Sequence, residues 1–282
     1  MNLIGGLAST DIAKEVATIG KHNTIPVEIK RFPDGELYVR LKQSIKNEKT
    51  TIIQTTYPDE HIIELFLLLD AVKRAKASQI TVVIPYFGYA RQDKQFKKGE
   101  PISAQAIAQL ISHYADNIIT IDPHKEHILD FFTVPAESIS AVNPIAEYFK
   151  NKHIDFVLAP DAGAIDRAKK TATLLNCDVD YMEKTRIDGS TIKIAPKNVN
   201  VKNKNTLIID DIISTGGTMA TSIRELKKQG AKKVFVSCTH GLFAGTAIDK
   251  LQSAGCEEII ATDTINSAFS KVKTAKIIAE AL

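Results

Sequence analysis

The chain has 282 residues, 44% of them apolar and 24% charged, enough to bury a sizeable core without metal or disulfide staples. Its formal charge is +3, from 36 Lys and Arg against 33 Asp and Glu, too even for a general nucleic-acid or membrane-surface binder. Three scattered cysteines, Cys177, Cys238 and Cys256, have neither metal-site nor redox spacing and read as reduced thiols.

The first residues, MNLIGGLAST, lack a signal-peptide pattern, so a cytoplasmic location is expected. Arg31-Phe32-Pro33-Asp34-Gly35-Glu36 is a turn carrying an aromatic and two acids. A strand is expected at 51–54 and a helix at 60–75. That helix holds the most apolar run of the chain, but Glu64 and Asp70 interrupt it and it is too short to span a bilayer.

A strand at 80–84 leads into Pro85-Tyr86-Phe87-Gly88-Tyr89-Ala90-Arg91-Gln92-Asp93-Lys94. Arg91 and Lys94 in this loop can neutralise a polyphosphate, the Arg bidentately. A helix at 102–113 and a strand at 117–121 follow, and the strand ends in Asp122-Pro123-His124. His127, one turn further, reads as structural.

The pattern then starts again. Asn143-Pro144 opens a helix, and a domain boundary is expected within 142–151, giving domains 1–143 and 144–282. A strand at 156–159 ends in Pro160-Asp161-Ala162-Gly163, and a helix is expected at 165–175. In Met182-Glu183-Lys184-Thr185-Arg186 a strand would put both cations on one face. Strand, helix, strand in this rhythm predicts an α/β protein of two similar domains, each a mostly parallel sheet flanked by helices. Ligand groups then belong at the carboxyl ends of the strands.

The strongest segment follows a strand at 206–210. It runs Asp210-Asp211-Ile212-Ile213-Ser214-Thr215-Gly216-Gly217-Thr218 into a helix at 219–229, with another strand at 233–238. The glycines let backbone N–H groups approach an anion, Ser214, Thr215 and Thr218 add hydroxyls, and the helix points its positive end at the same place. No Gly-Lys-Ser/Thr closes the loop, so it is not a Walker loop, and it lacks GxGxxG spacing. The two carboxylates would repel a phosphate but accept hydrogen bonds from a diol. A sugar monophosphate satisfies both halves.

Here the sequence resembles the phosphoribosyltransferase superfamily, and its ribose-phosphate pyrophosphokinase branch most closely. The resemblance covers essentially the whole length. It implies transfer of the pyrophosphoryl group of ATP to the C1 hydroxyl of ribose 5-phosphate, giving phosphoribosyl pyrophosphate and AMP. It implies that Asp210 and Asp211 bind the ribose hydroxyls and that Ser214, Thr215, Gly216, Gly217 and Thr218 bind the 5′-phosphate. It makes Lys184 and Arg186 the catalytic cations, followed by a mobile loop from Ile187, and assigns His124 and Asp161 to Mg²⁺. ATP falls to Arg91, Gln92 and Lys94, with Phe32 stacking on adenine and Asp34 and Glu36 on its edge from a neighbouring subunit. A homo-oligomer, at least a dimer with the ATP site at the interface, is therefore expected.

Some residues depart from the commoner pattern of the family. They are Asp122-Pro123-His124 for Asp-Leu-His, Ala164 for Gly, Ser214 and Gly217 for Asp and Ala, and the stretch 95–100. These departures leave phosphate activation and nucleotide feedback open. The rival readings are a transferase that consumes phosphoribosyl pyrophosphate and a non-catalytic regulatory subunit. The first-domain motifs disfavour the former, and the intact loop and cations disfavour the latter.

Overall fold

A computed structural model describes residues 1–186, 192–196 and 200–282, with residues 183–186 and 192–196 described by their backbone alone. Its first part runs β1 (Asn2–Gly5), α1 (Thr10–Gly20), β2 (Asn23–Thr24), β3 (Val27–Arg31), β4 (Leu37–Leu41), β5 (Lys49–Ile53), α2 (Glu60–Arg74), β6 (Gln79–Ile84), α3 (Ser103–Ser112), β7 (Asn117–Ile121) and β8 (Ala136–Ile139). A parallel sheet has the order β2-β1-β5-β6-β7-β8, while β3 and β4 form a separate antiparallel hairpin.

The next part runs α4 (Val142–Phe149), β9 (Phe156–Ala159), α5 (Ile165–Leu175), β10 (Asp178–Arg186), β11 (Ile192–Pro196), β12 (Asn205–Ile213), α6 (Gly217–Lys228), β13 (Lys233–Gly241), α7 (Ala247–Ser253), β14 (Glu258–Thr262) and β15 (Ser270–Val272). Its sheet order is β11-β10-β9-β12-β13-β14-β15, parallel except for the β10–β11 pair. The last helix, α8 (Ala275–Ala281), packs on α1.

The chain therefore forms two compact units, Met1–Ser140 with Thr274–Leu282, and Ala141–Lys273. The sequence reading put the division at 143 and 144 and left the final helix in the second domain. The backbone divides slightly earlier, and α8 returns to the first unit because burial of its Ala275 and Ile278 is satisfied there.

Local chemistry accounts for the main elements. In α2, Ile62, Leu65, Leu68, Leu69 and Val72 recur every three to four residues and are buried. Glu60 lies in its first turn and Lys73 and Arg74 in its last, each favourable to the helix dipole. In β12, Thr206, Leu207, Ile208 and Ile209 are all fully buried, as expected of a central parallel strand covered on both faces. Ile208, Val234, Val236, Ile223 and Leu226 share one core, each such side chain contributing about 1.5–3 kcal/mol on burial.

Both sheets have a switch point, where the strands flanking one central strand are reached by connections running to opposite sides. In the first, β1 lies between β2 and β5; in the second, β9 lies between β10 and β12. In open α/β sheets the ligand crevice lies at such a point, beyond the carboxyl ends of the strands. The carboxyl ends of β9 and β12 bring together Asp161 and Asp210.

Candidate active site

The second unit carries the most complete constellation. Strand β12 runs three residues past the end expected from the sequence, keeping register with β13 through Asp210↔Cys238, Ile212↔His240 and Ile213↔Gly241. Asp210 and Asp211 thus sit within the strand. The N–H of Asp211 donates to Asp210 Oδ1 at 2.9 Å. Neither residue is fully exposed. The carboxyl of Asp210 titrates well above the usual carboxylate range, because burial disfavours its charge first and the neighbouring charge of Asp211 adds to that. Asp161 pushes the same way, so three acids share one patch of potential.

After Ile213 the chain turns through Ser214, Thr215 and Gly216 into α6. Gly216 has φ of +72° and precedes the first turn of the helix, a conformation that costs a residue with a Cβ. A Cβ there would also meet the Ala247 carbonyl oxygen at 3.1 Å. Gly217 has open space around it, so its side of the loop is unobstructed. Gly216 is buried as the floor of the loop, while Thr215, Gly217 and Thr218 are exposed. This is a shallow seat at a helix N-terminus, the geometry that favours an anion.

The loop is braced from behind. The N–H groups of Phe243 and Ala244 donate to the carbonyls of Ile213 and Ser214, both at 3.0 Å. Lys250 Nζ donates to the Thr215 carbonyl at 3.3 Å. Outside the loop, Arg167 Nη1 of α5 donates to Thr239 Oγ1 of β13 at 3.2 Å. None of these contacts was read from the sequence. Arg167 has a faint signal, lying one turn into the helix that follows Asp161, whereas Lys250 has none.

Asp161 follows β9 as expected, and its Oδ1 accepts from the Gly163 N–H at 2.8 Å, capping the turn Ala162–Ala164. Lys184 and Arg186 lie in β10, opposite Ile194 and Ile192 of β11. Their side chains, and the loop expected from Ile187, lie outside the described residues.

The remaining candidates belong to the first unit. Arg91, Gln92 and Lys94 follow β6, with Arg91 and Lys94 exposed. Gln92 is fixed by Ser103, whose hydroxyl donates to Gln92 Oε1 at 2.6 Å. His127 Nε2 lies 3.2 Å from Asp93 Oδ2. Half-buried His124 follows β7 in the first unit, whereas Asp161 belongs to the second.

Phe32, Asp34 and Glu36 form the tip of the β3–β4 hairpin. The N–H of Phe32 donates to the Glu36 carbonyl at 2.8 Å, and Asp34 Oδ1 accepts from the Glu36 N–H at 3.1 Å. Asp34 therefore shapes its own turn, while the Phe32 ring stays exposed, edge-on to Tyr38 at 5.7 Å.

With this geometry in hand, comparison with known proteins assigns the chain. Residues 1–114 match the N-terminal domain of ribose phosphate pyrophosphokinase, and residues 135–270 match the phosphoribosyl transferase domain. The chain belongs to the ribose-phosphate pyrophosphokinase family. The ribose-phosphate pyrophosphokinase of Methanosarcina mazei is 44% identical over 100% of this chain and 95% of its own. That of Pyrococcus furiosus is 45% identical over 87% of this chain and 88% of its own. Among solved structures, phosphoribosylpyrophosphate synthetase from Mycobacterium smegmatis superposes with a TM-score of 0.86 at 29% identity, over 99% of this chain and 96% of that one. Among the described residues no helix is long and apolar enough to cross a membrane.

Proposed function

We propose that the two units divide the substrates of the family's reaction between them. The activity is that of a ribose-phosphate diphosphokinase, making phosphoribosyl pyrophosphate from ribose 5-phosphate and ATP. In our reading the ribose 5-phosphate sits on the second unit. Its phosphate meets the loop N–H groups at the start of α6 and the hydroxyls of Ser214, Thr215 and Thr218. Its ring hydroxyls donate to Asp210 and Asp211, and its C1 hydroxyl attacks the β-phosphorus of ATP in line, expelling AMP.

ATP belongs to the first unit in this reading. Arg91, Gln92 and Lys94 take its phosphates, while Phe32, Asp34 and Glu36 take adenine from a neighbouring subunit, which requires at least a dimer. Lys184 and Arg186 stabilise charge on the transferring group, so catalysis is largely positioning plus electrostatics.

The family generally uses Mg²⁺, and His124 and Asp161 are each proposed as a ligand for it. The described residues include no group of three His, Cys, Asp or Glu side chains arranged to hold a metal. When bound, the ion would supply positive charge to offset the negative charge of substrate phosphate oxygens. A cytoplasmic location fits these metabolites.

The observation that carries this reading is the joining, in one chain, of the acid pair and anion seat of β12 and α6 to the N-terminal domain of the pyrophosphokinases. The test is a reaction of the purified protein with ribose 5-phosphate, ATP and Mg²⁺ followed by ³¹P NMR. AMP and phosphoribosyl pyrophosphate in equal amounts are expected. ADP would mean that the γ-phosphate moves and that the ATP geometry is misread.

A further inference from the structure

The segment between Lys94 and the start of α3 is tied into a closed turn by a single acid. Glu100 Oε2 accepts from the N–H groups of Phe96 at 2.9 Å and Lys97 at 3.0 Å. The Glu100 N–H donates to the Lys97 carbonyl at 3.2 Å, and Gln95 Nε2 donates to the Glu100 carbonyl at 2.6 Å. Gly99 supplies the reversal with φ of +92°.

Such a turn holds its side chains outward. The Phe96 ring is 61% exposed, more than Phe32 at 44% or Tyr89 at 43%. Lys94 Nζ lies 5.5 Å from the centre of the ring, and the two residues after Phe96, Lys97 and Lys98, are exposed. A lone exposed apolar side chain requires no explanation. An aromatic on a self-tied turn, with a cation near its ring and a few residues from Arg91 and Gln92, has the chemistry of a nucleotide seat. Bases stack on aromatic faces with little regard to identity, and ammonium groups meet the phosphates.

We infer that Phe96 is a binding residue for the nucleoside triphosphate, stacking on its base beside Lys94. This rests on the reading of Arg91, Gln92 and Lys94 as the ATP loop. Phe32 from a neighbouring subunit then covers the other face of the base. Glu100 acts as a positioning residue, because losing its carboxylate frees the turn that presents the ring.

Steady-state kinetics on the full chain test this, with Phe96→Ala, Phe96→Trp, Glu100→Gln and Arg91→Ala compared and each variant's melting and sedimentation recorded. Phe96→Ala is expected to raise KM for ATP by about tenfold, the worth of one stacked base. KM for ribose 5-phosphate and kcat at saturation stay near wild type, Phe96→Trp restores KM for ATP, and Glu100→Gln shows a smaller rise. If Arg91→Ala raises KM for ATP while Phe96→Ala leaves it unchanged, the inference about Phe96 is overturned and the ATP loop stands. If neither variant moves it, the ATP-loop reading falls and this inference with it. A Phe96→Ala protein that sediments as a smaller species assigns the ring to contact between copies of the chain, which also overturns the proposal.

Discussion

The backbone N–H of Asp211 donates to the side chain of Asp210 at 2.9 Å, so the second acid of the pair holds the first against the strand. Two carboxyl groups so placed, with Asp161 adding to the field, impose a standing electrostatic cost on the ligand-free protein. The pair is arranged for a partner that brings hydrogen-bond donors.

That cost makes stability depend on pH in a definite direction. The folded-state pKa of Asp210 is raised, so its contribution to stability is whole below the unfolded carboxylate range and is lost as pH rises toward the folded value. Asp210→Asn removes the loss. The variant should melt above wild type at about pH 8, with the gap closing as pH falls toward about 4. Thermal scans over that interval check the slope, and a variant that melts lower at high pH would contradict it.

Lys184 is expected to act only on the transferring group. Lys184→Ala should lower kcat by about 10²–10³, the usual worth of one preorganised charge in a transition state. Calorimetric affinity for ribose 5-phosphate should be retained. Wild-type turnover in this variant would remove Lys184 from the chemistry.

The two glycines before α6 should respond differently to alanine. Gly216→Ala forces a left-handed residue against the Ala247 carbonyl, a cost of roughly 1–2 kcal/mol or more. Gly217→Ala meets open space and should be neutral or stabilising by up to about 1 kcal/mol. Urea denaturation of both variants checks the difference, and equal stabilities would contradict it.

Glu64 offers a test in the first unit. Its side chain is 1% exposed, accepting from the Leu7 N–H at 2.7 Å and lying 2.9 Å from His61 Nδ1. Glu64→Leu strands both partners and should cost about 3 kcal/mol, whereas Glu64→Gln keeps an acceptor for Leu7 and should cost less. Equal losses for the two variants would mean that packing, rather than hydrogen bonding, is what Glu64 supplies.

Much of this was legible in the sequence where local pattern and tertiary demand agree. The strand at 117–121, the strand at 156–159 and the helix at 165–175 emerge with the bounds expected. Asp210-Asp211 looked like a strand end because acids have poor β-propensity, but pairing with β13 carries the strand on to Ile213. The anion loop was readable because glycines and hydroxyls cluster within a few residues. Its braces were not, since Phe243 and Lys250 reach it only through the fold. The hairpin strands around Phe32 were missed as well, because the turn dominated the pattern of their short sequences.

The return of α8 to α1 has a consequence for biosynthesis. As the chain leaves the ribosome, residues 1–140 can lay down their whole sheet, but the surface of α1 that α8 covers stays bare until residues 274–282 have been translated. The intervening unit forms its sheet from a continuous stretch and can close first. The part synthesised earliest is thus the later one to be sealed, and a ribosome stalled before α8 would display that uncovered helix face to chaperones and proteases.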